Sequence, residues 1–150
     1  MKRMLAAFLM LSTLMSMFAL GVSAEEYDGN VIYLDDGSYI VVTVVESGLR
    51  SSGTRSGQAT YDYYDSDGVC GWTAALTGTF TYTGSSATCT ASDCNVTIYD
   101  SAWYTVSKSV SKSGNSATAD LTMGKKLLGV TITKVPLELI LSCDANGNLS

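Results

Sequence analysis

The sequence predicts an all-β domain, an antiparallel β-sandwich or alternatively a small barrel, of about eight or nine strands. Three observations lead there: apolar and polar residues alternate at period two along much of the chain, no apolar stripe recurs at helical spacing, and the alternating runs are separated by clusters of Asp, Asn, Gly and Ser. Ahead of this domain, Lys2 and Arg3 precede an apolar stretch over residues 4–20, and the small-residue site Val22-Ser23-Ala24 follows. That order is a secretory signal peptide, predicting cleavage after Ala24, so residues 1–24 are a leader and residues 25–150 a single secreted domain. No later apolar run approaches the roughly 18 residues that would span a bilayer as a helix.

Taken in order, residues 31–34 and 39–46 flank Asp35-Asp36-Gly37-Ser38, which has turn composition. Residues 39–45 are apolar on both parities, the pattern of a strand covered on both faces. Residues 49–58, rich in Gly, Ser and Arg, read as an exposed loop. Residues 59–64 lead into a second turn, Asp65-Ser66-Asp67-Gly68. The clearest alternation runs from 72 to 83: Trp72, Ala74, Leu76, Phe80 and Tyr82 fall on one face and Thr73, Thr77, Thr79, Thr81 and Thr83 on the other. Twelve extended residues span about 40 Å, long for one strand, so a bend or bulge is expected near Gly78. Ala117, Ala119, Leu121 and Met123 define a later inward row, and Leu137, Leu139, Leu141 and Cys143 another.

Composition removes several chemistries. The chain has no histidine, which excludes a Ser-His-Asp or Cys-His catalytic unit and any histidine-ligated zinc. Beyond residue 24 there remain 7 basic against 14 acidic side chains, a net charge of −7, which disfavours nucleic acid as a partner. Serine and threonine are abundant, as suits the solvent face of a secreted β protein.

Four cysteines, Cys70, Cys89, Cys94 and Cys143, allow three full pairings, and export favours disulfides over metal thiolates. Strand parity lets all four face the interior, and the favoured pairing is Cys89 with Cys143, leaving Cys70 with Cys94 as the remaining possibility.

The runs Tyr61-Asp62-Tyr63-Tyr64-Asp65-Ser66-Asp67, Leu76-Thr77-Gly78-Thr79-Phe80-Thr81-Tyr82-Thr83-Gly84-Ser85-Ser86-Ala87-Thr88-Cys89-Thr90 and Ser107-Lys108-Ser109-Val110-Ser111-Lys112-Ser113-Gly114-Asn115, with Leu127-Leu128-Gly129-Val130 and Leu141-Ser142-Cys143, resemble a group of uncharacterised small exported proteins of Gram-positive anaerobic bacteria. The resemblance covers nearly all of residues 25–150. It implies export, an all-β domain and a Cys89–Cys143 pair, with Cys70 and Cys94 as additions that would form a second pair, and it implies no active site. A Cys89–Cys143 bridge closing that long a loop would stabilise by about 4 kcal/mol on the chain-entropy account.

Candidate chemistry is sparse. Asp65-Ser66-Asp67-Gly68, with Asp62 nearby, and Asp144-Ala145-Asn146-Gly147-Asn148 space oxygens like the opening of a calcium loop, yet neither has the closing glutamate, and ordinary Asx turns explain both. The carboxylates Asp35, Asp36, Glu46, Asp65, Asp67, Asp100 and Glu138 form the pool for glycoside hydrolysis, and no spacing selects a pair. Ser107-Lys108 and Ser111-Lys112 are neighbours on strands and point to opposite faces, so they cannot share a proton directly. The threonine row offers a flat hydroxyl array of the kind that binds ice or crystalline polysaccharide, though strand propensity alone accounts for it. Tyr61, Tyr63, Tyr64, Trp103 and Tyr104 are the binding candidates; if Tyr61 and Tyr63 share one face, Tyr64 lies on the other. The expectation is a secreted, non-catalytic binding module without cofactor, acting on an extracellular protein or glycan. The alternatives are a small antimicrobial or toxin-like protein, which the acidity disfavours, and a secreted carbohydrate-active hydrolase.

Overall fold

The computed structural model describes residues 27–28, 30–51 and 53–150; the expected signal peptide, residues 1–24, lies outside the described residues. Nine strands follow one another: β1 (Tyr27–Asp28), β2 (Val31–Tyr33), β3 (Tyr39–Ser51), β4 (Thr54–Tyr64), β5 (Cys70–Tyr82), β6 (Ala87–Ile98), β7 (Trp103–Ser113), β8 (Ser116–Leu127) and β9 (Val130–Ser142). They make two antiparallel sheets, one of order β1-β2-β3-β4-β5-β6 and one of order β7-β8-β9, each strand pairing with its neighbour in sequence. No described helix is long and apolar enough to cross a membrane.

Alternation decides which residues meet between the sheets. Ala59, Tyr61 and Tyr63 of β4 and Trp72, Ala74, Leu76 and Phe80 of β5 are buried together with Ala117, Ala119, Leu121 and Met123 of β8 and Val135, Leu139 and Leu141 of β9. One core therefore takes side chains from both sheets, and none of its described members precedes Ile32. The anticipated break in the long strand is present: β5 and β6 change register between Thr79 and Phe80, beside Gly78, so that Thr90 stands opposite no residue of β5. An extra residue bends a strand and increases its twist, which lets so long a pair wrap the core.

The barrel alternative is corrected. β6 and β7 run side by side as the last and first strands of different sheets and form no ladder with each other. Instead, Lys108 Nζ donates to the Cys94 carbonyl at 2.6 Å and Lys112 Nζ to the Thr90 carbonyl. Two lysines four residues apart thus occupy two carbonyls four residues apart on the β6 edge, satisfying acceptors that would otherwise invite another strand. The buried hydroxyl of Tyr61 does similar work on β9, accepting from Ile140 N at 3.1 Å.

Two further expectations change. Residues 49–58 are not a loop: β3 and β4 pair through this stretch and turn sharply near Gly53, whose φ is +81°. The glycines and serines suit strand here because space is short, not because the backbone is free; a Cβ on Gly57 would lie 2.1 Å from Leu149 Cδ1. Nor is residues 39–45 covered on both faces. β2 pairs only as far as Val41, so beyond it β3 borders solvent and Val44 and Val45 are both exposed.

Candidate functional site

The outer face of the six-stranded sheet carries the arrangement best suited to binding. In register, Tyr33 of β2 stands opposite Tyr39 of β3, and Tyr39 opposite Tyr64 of β4. Adjacent strands lie about 4.8 Å apart, so side chains in cross-strand register meet as a ladder. The Tyr39 and Tyr64 rings stack with centroids 5.2 Å apart at 14°, and Tyr33 and Tyr39 tilt together at 6.3 Å. Tyr33 is 44% exposed and the other two half-buried, so the row presents ring edges and phenol oxygens to solvent. Burial against the row raises the Tyr64 phenol above its ordinary value, reinforced by the Asp62 carboxylate and by Cys70, Tyr39 and Tyr99. It therefore remains a neutral donor and acceptor through neutral pH.

From Tyr64 the outward positions of β4 continue as Asp62, Thr60, Gln58 and Ser56, flanked by Thr73, Thr77 and Thr79 of β5. Thr73 Oγ1 donates to Asp62 Oδ1 at 2.5 Å, Gln58 Nε2 to Thr60 Oγ1 at 3.0 Å, and Ser56 Oγ lies 3.1 Å from Thr79 Oγ1. Towards the far end a shallow groove of about 250 Å³ is lined by Ser47, Ser56, Thr77, Thr79, Ser92 and Asp93, among others. Eight residues of strand separate Ser56 from Tyr64, about 27 Å of continuous aromatic, amide and hydroxyl surface.

Of the aromatic candidates, only Tyr64 belongs to this surface. Tyr61, Tyr63 and Trp103 are core residues, a correction that follows from inward parity once the second sheet covers them. Tyr63 stacks on Trp72 at 5.3 Å and meets Trp103 edge-on at 4.8 Å. Tyr104 sits on the outer face of the other sheet, away from the row, over Gly124, where a Cβ would come within 2.7 Å of its ring. Its hydroxyl lies 2.6 Å from Thr131 Oγ1 and Lys126 Nζ sits 4.3 Å from the ring centre, so its surfaces are already occupied. Tyr33 and Tyr39 were not among the candidates. Their signal was available, since the Asp35–Ser38 turn places them opposite one another, but the third member depends on the β3–β4 register through the stretch that reads as a loop.

The cysteines are free, so neither expected bridge is formed. For Cys70 and Cys94 the register forbids it. Cys94 stands opposite Leu76, six residues along β5 from Cys70. That is about 20 Å, against the 4.4–6.8 Å between Cα atoms that a disulfide needs. Cys89 and Cys143 come to one turn, their amides donating to the consecutive carbonyls of Gly114 and Asn115 at 2.7 and 3.0 Å. Their sulfurs turn instead to nearby carbonyls, Cys89 Sγ to Ala91 O at 3.4 Å and Cys143 Sγ to Asp144 O at 3.5 Å. Burial raises all four thiols above their ordinary value.

The two acidic turns spend their carboxylates on themselves. Asp65 Oδ1 accepts from the amides of Asp67 and Val69 at 3.0 and 2.8 Å. Asp144 Oδ1 accepts from those of Asn146 and Asn148, and Oδ2 from the Asn148 side chain at 2.7 Å. These bonds, the Asn148 side chain first, hold the Asp144 carboxyl below its usual range. Asp36 serves Ser38 in the same way, Asp100 serves Ala102, and Glu46 pairs with Arg55 at 2.9 Å. Among the described residues no three His, Cys, Asp or Glu side chains gather as a metal site.

Scans of family models, curated proteins and solved structures found no match to this chain.

Proposed function

We propose that this protein is an exported, non-catalytic β-sandwich module that binds a glycan chain along the outer face of its larger sheet. The supporting observation is the row Tyr33–Tyr39–Tyr64, which passes without interruption into the hydroxyl and amide strip of β4 and β5. A sugar ring has apolar C–H faces and a hydroxyl rim. Aromatic groups meet the first while Thr, Ser, Gln and Asp side chains exchange hydrogen bonds with the second. A flat face also suits an extended polymer better than a small metabolite, which would need an enclosing pocket.

Retention of the protein in gels containing soluble cellulose, chitin derivatives or bacterial cell-wall polysaccharide tests this reading. At least one polymer should retard migration, and Tyr39→Ala and Tyr64→Ala should each weaken retention about tenfold, the value of a lost aromatic contact of about 1.4 kcal/mol. Tyr104→Ala, on the opposite face, should leave it unchanged. Free migration in every polymer, or equal retention of the Tyr39 and Tyr64 variants, rejects the reading.

A further inference from the structure

One end of the molecule gathers the turns after β2, β4, β6 and β8, and apolar side chains are exposed there: Val69, Tyr99, Leu127, Leu128, Val130 and Ile132. Leu128 is the plainest case. It is 96% exposed, so it adds nothing to the core, and its φ of 50° lies in the left-handed region that a leucine adopts only with strain. Leu127 pairs with Val130 across the two-residue turn Leu128-Gly129, in which both φ angles are positive. Asn-Gly is the sequence such a turn favours. Neither folding nor solubility explains a leucine at this position, whereas an apolar partner surface does.

Charge divides the same end into halves. The hairpin from Lys125 to Lys134 carries three lysines, Lys125, Lys126 and Lys134, and no acidic residue. The other three turns carry Asp35, Asp36, Asp65, Asp67 and Asp100 and no basic residue. Each half is therefore apolar with a charge, and the two charges are opposite. A two-fold axis exchanges such halves, setting every basic patch against an acidic one.

We propose that this end is the interface of a symmetric dimer of this chain, in which the β8–β9 hairpin of each copy lies against the acidic turns of the other, Leu127, Leu128 and Val130 meeting Val69 and Tyr99. An anionic bilayer would attract the hairpin but repel five aspartates at the same end, and a second copy pairs both sets. The tyrosine row borders the acidic turns of this same end, the Tyr39 hydroxyl lying 3.8 Å from where a Cβ on Gly68 would sit, while the polar strip from Asp62 to Ser56 runs away from it; dimerisation is read by sedimentation and glycan binding by gel retention.

Sedimentation equilibrium of the chain from Glu25 onward decides the matter. That chain keeps every described core residue and omits the apolar stretch of residues 4–20, which would associate by itself. A dimer is expected at low salt, weakening as salt rises. Leu128→Asn should raise the dissociation constant at least tenfold while leaving the thermal midpoint of unfolding unchanged or higher, because Asn accepts the left-handed turn. Lys126→Glu with Lys134→Glu should give a monomer, and mixing it with Asp65→Lys, Asp67→Lys protein should restore association. A wild-type monomer at all concentrations, or a Leu128→Asn dimer of undiminished affinity, overturns the proposal. So does a monomer that floats with phosphatidylglycerol vesicles, which would make this end a lipid surface.

Discussion

The two ends of the molecule are closed by different physics. At the end bearing the turns near Gly53, Gly84, Gly114 and Gly147, polar bonds cross between elements. Arg55 Nε donates to Gly147 O at 2.9 Å, Asn115 Nδ2 to Cys143 O at 2.8 Å, Gly84 N to Ala145 O at 2.8 Å and Tyr82 N to Gly53 O at 2.9 Å. The opposite end is closed from within by rings, Trp103 meeting Tyr63 at 4.8 Å and Trp72 at 6.2 Å beneath the 99–102 turn. Many modest bonds, side-chain ones among them, close the first end; at the second a few large buried side chains are added to backbone bonds from Tyr99 and Asp100 N to Gly71 O and from Lys126 N to Ala102 O. The polar end consumes its own donors and acceptors, while the aromatic end hides its rings and leaves aliphatic tips outside.

The largest effect is expected where closure rests on fewest groups. Trp103 is 4% exposed, and truncating a buried aromatic to alanine costs about 3–5 kcal/mol. Trp103→Ala should therefore lose that much in urea unfolding, with β7 parted from the Tyr63–Trp72 stack. Asn115→Ala, at the polar end, removes one side-chain bond to Cys143 and should cost only about 0.5–1.5 kcal/mol, since the Cys143 amide still donates to the Asn115 carbonyl. Equal costs for the two variants would break the contrast between the ends.

How much of this was legible in the sequence follows the same division. Period-two alternation needs no partner to be visible, so the inward rows Ala117–Ala119–Leu121–Met123 and Trp72–Ala74–Leu76 read directly, as did the turns at Asp35, Asp65 and Asp144. What parity cannot show is what lies across from a residue. Tyr61, Tyr63 and Trp103 look like surplus aromatics until a second sheet covers them, and Tyr33, Tyr39 and Tyr64 become one row only through the register of three strands. Residues 49–58 hid that register because glycine is read as freedom, whereas Gly57 is there for lack of room beneath Leu149. For Cys70 and Cys94 the pairing failed for a related reason: facing inward is a property of one strand, but bridging distance is a property of two.

The smallest effect separates the ends by thiol chemistry and leaves stability aside. Cys89 and Cys143 are buried at the polar end, whereas Cys70 is half-buried beside the tyrosine row. Burial, then the neighbouring Asp62 carboxylate, raises the Cys70 thiol, partly opposed by a hydrogen bond from Thr73. Because the thiolate is the nucleophile, a raised value means less reactive thiol at any given pH, so labelling by iodoacetamide should climb only above the ordinary value of 9.0. Asp62→Asn removes the adjacent negative charge and should move that rise to lower pH. Native protein should label first at Cys70, with Cys89, Cys94 and Cys143 reacting only on unfolding; early labelling of Cys143 would mean that the bonds around Asn115 and Gly147 open readily, and that the polar end is the looser of the two.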